Sequence, residues 1–579
     1  MATGALPEFH APGPGVWQMD RTHFAKAQFG MIAEVFPPAF SAGMRTCMKQ
    51  YGMLLEGFDV RVVHGFPYSQ PRPVGAPAGG KPPPPWLFKL LFKGLVTFHP
   101  EVRRRLAAQR DLFERRPWRD TVRRWDEELR DASVAKHTAI DAVDVTSLDD
   151  AGLAAHLVRV RDHAIAVLTQ DHSLNLDTIL PVGDYLVRAG ELTGLSASVL
   201  LAALRGYSDI STGASRERTA LLAALRGDEA ARALLEGPAS PREVWDTLLT
   251  WPGPVGEAMR AYRVVWGNAI CEGIDASADS VEDAPGPALR ALRECLRAPS
   301  SGVSNADAAA AAARVLDAAP AEHRAEVARL LEDAQLTYRL RDERHLYGAL
   351  PVLGLGRRGV KEAGKRLSAR GTLADPGLAF MGTSDELARL LTAAPGACAP
   401  LVAELTERAR LTELLRGDRV PDTLGGAPEP PPPADWLPHE AARRCVRALE
   451  AYMGAMGDMG ETTHTAPAAE SRDALRGLAV SPGVHEGRAR VCTEPGDLER
   501  IEQGDVLVAS LTTPAINVIL PLLGAIVTDR GGALSHAAIV SREFGIPAVV
   551  GTRTATASLR DGERVRVDGG TGLVTPLGV

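Results

Sequence analysis

The chain has 579 residues, more than one ordinary core accommodates, so roughly two to four domains are expected. Hydrophobic residues make up 45% and charged residues 24%, the balance of a soluble globular protein. A net charge of −7 and a pI near 6.1, with no basic stripe or polybasic tract, argue against nucleic acid and an anionic membrane as partners.

The first thirty residues lack a basic start followed by an apolar run, so no secretory signal is expected. Residues 1–100 are mixed and rich in Gly and Pro, and 79–86 read as a loop or extended polyproline segment. The apolar stretch Trp86–Phe98 is too short to span a bilayer and contains Lys89 and Lys93. From about 101 to 420 the pattern is helical. Glu101–Ser133, Ser147–Thr169, Arg216–Leu235, Ala306–Arg344 and Ala399–Leu415 carry apolar residues at spacings of three and four. A Pro-rich insertion near 425–435 precedes one more helix at about 438–454, and the small, polar residues that follow read as a linker. The six cysteines, at 47, 271, 295, 398, 445 and 492, form no CxxC pair. Neither a metal site nor a disulfide framework is expected, and the chain reads as cytoplasmic.

The last hundred residues change character. Asp505–Ala509, Ala525–Thr528, Ala548–Val550 and Arg564–Asp568 are short, β-branched runs bounded by turn signals, and Ser535–Phe544 fits one helix between two of them. The expected fold class is multidomain: a large, mainly α-helical substrate-binding body over 1–455, a flexible linker at 456–474 and a small α/β domain at 475–579.

The segment that carries chemistry runs from Thr528 to Gly551. A strand ends at Thr528, Gly531 and Gly532 permit close backbone approach, and His536 stands at a helix start. Free N–H groups and the positive end of the helix dipole favour an anion there. Thr528 and Ser535 offer hydroxyls and Arg542 a charge. A neutral imidazole is a good nucleophile near pH 7, and the N–P bond it forms is labile enough to pass the group on.

This segment resembles the phosphohistidine swivelling domain of the phosphoenolpyruvate (PEP)-utilising enzymes, with its Gly-Gly-x-x-Ser/Thr-His-Ala-Ala-Ile and Arg-Glu-x-Gly-Ile-Pro-Ala-Val pattern. The likeness extends over 475–579, from Gly477, Ser481, Pro482, Gly483 and Gly487 to the run 561–572. Leu511–Pro514 matches the family's Thr-Thr-Pro segment, which places Thr513 beside the histidine. The resemblance implies that His536 carries a phosphoryl group stabilised by Thr513, Thr528, Gly531, Gly532, Ser535 and Arg542.

A barrel after the domain is not expected, since about forty residues remain after His536 and a TIM barrel needs roughly 250. The layout resembles that of the rifampicin phosphotransferases, in which an ATP-grasp domain loads the histidine and a helical domain binds the acceptor. Residues 338–347, 361–367, 371–380, 384–387 and 204–211, and the stretch holding Gly273, Asp279 and Pro285, resemble that helical domain, as do Trp17, Asp20, His23 and Phe24. Nothing resembles an ATP-grasp domain. The near P-loop at 359–365 continues with Arg366 where Ser or Thr is required. The resemblance therefore implies a split enzyme: a separate ATP-grasp subunit uses ATP and Mg2+ and loads His536 in trans.

Other residues remain open between two readings. His163 and His172 lie nine apart, on opposite faces of a helix, so they do not share a metal. Either one, Asp171 or Asp184 serves as general base, or is a hydrogen-bonded core residue. Arg339, Arg341, Arg344, Arg357 and Arg358 neutralise phosphate or form a solvated helix face, and His345 and Tyr347 share that ambiguity. Trp17 and His23 line an acceptor pocket or pack.

The expected function is a phosphotransferase that delivers phosphate from His536 to a hydroxyl of a small organic, natural-product-like acceptor bound by the helical body. The alternatives are a phosphorylation-driven dehydratase of secondary metabolism and a phosphocarrier protein.

Overall fold

The computed structural model describes residues 6–21, 24, 26–75, 85–210, 215–270, 275–297, 305–394, 396–415, 420–428, 430–457, 474–493 and 496–578. They form two compact units, one of Met1–Asp177, Ile274–Ser277 and Val352–Val446, the other of Thr178–Gly273, Ala278–Pro351 and Arg447–Val579. The helical residues expected as one body are divided between these units, and the strand-rich C-terminal residues share the second with helices from 178–351. His23, Gly273 and residues 458–473, most of the expected linker, lie outside the described residues, as do residues 76–84.

The first unit holds a helical core and a small sheet. Helices Asp150–Ser173, Leu350–Ala369, Ser384–Thr392 and Ala399–Leu414 contribute Leu153, Leu157, Leu367, Leu387, Leu390 and Leu405 to one buried cluster. Helix Met31–Gln50 packs on Asp150–Ser173 through Gly43, where a side chain would meet the Thr169 carbonyl oxygen at 2.6 Å. The sheet is antiparallel, with β1 (Trp17–Met19), β2 (Leu55–Val63), β3 (Phe66–Pro73) and β4 (Thr423–Leu424) in the order β2-β3-β1-β4. It was not anticipated from the sequence, because its Pro-rich third strand and two-residue fourth strand give little alternation.

Local chemistry cuts the long predicted helices. The span expected over 216–235 breaks at Asp228, whose carboxylate caps Glu229–Glu236 by accepting from the Ala231 N–H at 2.9 Å. The span over 101–133 breaks at Arg116, held at a φ of 53° ahead of Pro117. The span over 306–344 is interrupted at Pro320, and Arg324–Arg344 then passes into a π-helical turn at His345–Ala349.

The C-terminal residues of the second unit form an eight-stranded sheet, β5 (Leu475–Arg476), β6 (Leu478–Ser481), β7 (Val484–Cys492), β8 (Asp505–Ala509), β9 (Leu523–Thr528), β10 (Ala548–Val550), β11 (Arg564–Asp568) and β12 (Leu573–Gly578). Its order is β5-β12-β11-β7-β8-β9-β10-β6, with β7 to β10 parallel and the outer strands antiparallel. All five residues of β8 are buried, as a central parallel strand requires. The four predicted strands and the helix are present, the helix as His536–Phe544.

Leu534 and Ile539 leave this sheet domain to join a helical cluster that includes Tyr185, Leu200, Val327, Leu331, Tyr338 and Tyr452. The helix carrying His536 is thereby packed against the helices of its own unit. Burying two such side chains stabilises that contact by about 3–6 kcal/mol.

Candidate active site

His536 opens its helix because Ser535 caps it: the Ser535 hydroxyl accepts from the Ala538 N–H at 3.4 Å. Gly545, at a φ of 66°, closes it. The loop between β9 and this helix needs both of its glycines. Gly531 has a φ of 116°, and a Cβ there would lie 2.8 Å from Ser535 Oγ. Gly532 N–H donates to the Met456 carbonyl at 3.0 Å, and a Cβ on Gly532 would meet the Ala455 oxygen at 2.5 Å.

The loop carbonyls are held by two arginines. Arg542 Nη2 donates to the Ala533 oxygen at 2.7 Å, and Arg341 Nη1 donates to the Leu534 oxygen at 2.5 Å. Thr528 is fully buried and donates its hydroxyl to the Arg530 oxygen at 2.7 Å. Thr528, Gly531, Gly532, Ser535 and Arg542 thus shape the loop that presents His536. In this arrangement Thr528 and Arg542 donate to backbone oxygens.

The imidazole itself is 6% exposed and gripped at both nitrogens. Nδ1 lies 3.0 Å from Thr512 Oγ1, and Nε2 lies 3.0 Å from Asn517 Oδ1. The hydroxyl beside the ring is that of Thr512; Thr513 is the residue preceding the 3-10 helix Pro514–Val518. Burial, then the charge of Arg341, then that of His345, hold the imidazolium form well below its ordinary range. The ring is therefore neutral across the physiological range, as a nucleophile must be.

Around it stand residues of the Arg324–Arg344 helix and its π-helical continuation. His345 Nδ1 donates to the Arg341 carbonyl at 3.1 Å. Arg339 pairs with Glu343 at 2.9 Å. Tyr347 donates to Glu217 at 3.0 Å. On the histidine's own helix, Glu543 accepts from the Gly206 N–H at 2.8 Å, and burial pushes its carboxyl up to about 7.

The second unit thus brings His536, Arg341 and His345 together. Trp17, His163 and His172 belong to the first unit. Trp17 is buried in β1 and donates to the Gly13 oxygen at 3.1 Å. His163 Nε2 lies 2.9 Å from His137 Nδ1, and burial, aided by Lys136, lowers it to about 4. His172 packs edge-on against Phe36 and Phe40. Arg357 donates to the Ala276 and Ser277 carbonyls, and Arg358 pairs with Asp141.

Sequence reasoning passed over Thr512, Asn517 and Glu543. Thr512 and Glu543 lie inside the motifs that point to the histidine. Asn517 carries no local signal, because only the turn at 514–518 brings it back to the ring. Among the described residues no group of three or more His, Cys, Asp or Glu is placed to hold a metal ion, and no helix is long and apolar enough to cross a membrane.

Residues 501–572 match the family described as PEP-utilising enzyme, mobile domain. Similar proteins include a probable phosphoenolpyruvate synthase of Archaeoglobus fulgidus, 48% identical over 106 residues, which are 18% of this chain and 14% of that protein. An uncharacterized phosphotransferase, YvkC, of Bacillus subtilis is 48% identical over 99 residues, 17% of this chain and 12% of its own length. The chondramide synthase cmdD of Chondromyces crocatus is 50% identical over 101 residues, 17% of this chain and 3% of that protein. The chain thus spans only a small part of the relatives it matches. The likeness falls on the sheet domain that holds the clamped histidine, and that C-terminal domain is similar to the mobile domain of the PEP-utilising enzymes.

Proposed function

We propose that this chain is a phosphotransferase in which His536 carries a phosphoryl group and passes it to a hydroxyl of a small organic acceptor. The observation that carries this reading is a neutral, buried imidazole at a helix N-terminus, clamped between Thr512 and Asn517 inside the mobile-domain match.

Loading forms an N–P bond as a P–O bond of ATP breaks; an ATP-grasp module that holds ATP and Mg2+ supplies the group. Delivery breaks the N–P bond as the acceptor oxygen attacks phosphorus, and the hydroxyl proton passes to a general base beside the acceptor. Arg341, tied to the loop two residues before His536, offsets the charge that spreads over the phosphoryl oxygens. The acceptor binds beside Arg341 and His345 in the second unit. The likeness to a chondramide synthase supports a natural-product acceptor, and a cytoplasmic site of action suits ATP as donor.

Intact mass after incubation with ATP and Mg2+, with and without the ATP-grasp protein encoded nearest to this gene, tests the reading. A gain of about 80 Da that is lost in acid and absent from His536→Ala establishes the phosphohistidine. No gain with any ATP-grasp partner overturns it.

A further inference from the structure

The clamp on His536 has an unused half. Asn517 is fully buried, its Oδ1 faces His536 Nε2 at 3.0 Å, and its Nδ2 has no hydrogen-bond partner among the described residues. A buried amide N–H without an acceptor is costly, so its presence calls for a ligand that completes it. Arg218 Nη1 donates to the Asn517 backbone oxygen at 3.5 Å, which anchors the residue at its main chain.

With Oδ1 toward the ring, Nε2 must carry the proton, and Nδ1 accepts from the Thr512 hydroxyl. Phosphorylation at Nε2 demands the opposite arrangement. The proton leaves Nε2 by exchange with water and returns on Nδ1, the Nε2 lone pair forms the N–P bond, and the donor's P–O bond breaks. Nδ1–H then needs an acceptor, and the phosphoryl oxygens need a donor. Both partners can reverse: a hydroxyl donates or accepts, and a half-turn of an amide exchanges oxygen for N–H.

We propose that Thr512 and Asn517 form an invertible clamp, holding unloaded His536 as the Nε2–H tautomer and, after an amide half-turn, giving Asn517 Nδ2 to a phosphoryl oxygen of the loaded residue. This rests on the phosphohistidine reading of the site. Asn517 is a positioning residue before loading and a phosphoryl donor group after it.

The test uses the full chain phosphorylated chemically with phosphoramidate, which needs no loading partner, alongside imidazole 15N spectra of the unloaded protein. Asn517→Asp keeps an acceptor for Nε2–H but cannot become a donor. It should retain the Nε2–H spectrum while the phosphoryl half-life falls about tenfold or more, the factor a charge-assisted hydrogen bond is worth. Thr512→Val should shorten the half-life likewise, and Thr512→Ser should restore it. A half-life in Asn517→Asp equal to that of wild type, or an Nδ1–H spectrum in unloaded wild type, overturns the clamp. Wild type that takes no phosphoryl group from phosphoramidate or from ATP with a partner overturns the phosphohistidine reading and the loaded half of the clamp together. A short half-life confined to the variants leaves that reading intact and supports the clamp.

Discussion

Arg341 Nη1 donates to the carbonyl oxygen of Leu534 at 2.5 Å, across 193 positions of sequence and two residues before His536. This bond joins a helix of the second unit to the loop that presents the histidine, and the same charge lowers the His536 pKa. Arg341→Ala should therefore cut transfer by about tenfold or more and move the titration of His536 upward. Arg341→Lys should recover part of the titration shift but little of the transfer, because an ammonium does not reproduce the planar fork. Single-turnover rates and an NMR titration of the His536 ring check both.

The double glycine should tolerate no side chain. Gly531→Ala combines a φ of 116° with a contact at 2.8 Å to Ser535 Oγ, the group that caps the helix. It should lower stability by about 1–3 kcal/mol. Gly532→Ala drives a methyl into the Ala455 backbone oxygen at 2.5 Å, so it should loosen the hold of the helix Glu440–Met456 on the loop. Thermal melts combined with hydrogen exchange at Leu534, whose N–H donates to that same oxygen, separate the two effects.

Glu543 gives the second unit a pH dependence with a definite sign. Burial, opposed by the Gly206 N–H and Arg542 and reinforced by Asp342, raises its carboxyl from 4.5 to about 7. Between those values the folded chain binds more protons than the unfolded one. Its contribution to stability is full below 4.5 and is lost as pH rises through 7. Wild-type melting temperature should fall by about 2–4 °C for each kcal/mol lost over that window, and Glu543→Gln, neutral throughout, should flatten the slope. Equal slopes in the two proteins would sink this account.

Ser535→Ala removes the hydroxyl that accepts from the Ala538 N–H. It should cost about 1 kcal/mol of stability and lower the loading rate of His536, since the first turn of the helix frays. Ser535→Asp should regain the stability but not the loading rate, because it restores the cap and sets a negative charge beside the phosphoryl group.

What was legible in the sequence had local causes. The strand Asp505–Ala509 is apolar on both faces, so its burial in a parallel sheet follows from composition. The helix at His536 follows from Ser535 ahead of it and Gly545 behind it. The break at Asp228 was written in the capping preference of its side chain but masked by the apolar period that runs through it.

By itself, the sequence determined that a histidine opens a helix after a paired-glycine turn, since strand, turn and cap are set by neighbours within about ten residues. Only the tertiary structure decided what surrounds that histidine. Thr512 and Asn517 reach it from 24 and 19 residues away, and Arg341 reaches its loop from another part of the unit. Tertiary packing also decided that Trp17, which pairs in a sheet with Leu424, and His163, which pairs with His137, serve the core of the first unit. The physical reason is common to all of these: a side chain's partners are fixed by packing between elements distant in sequence, and no local propensity encodes them.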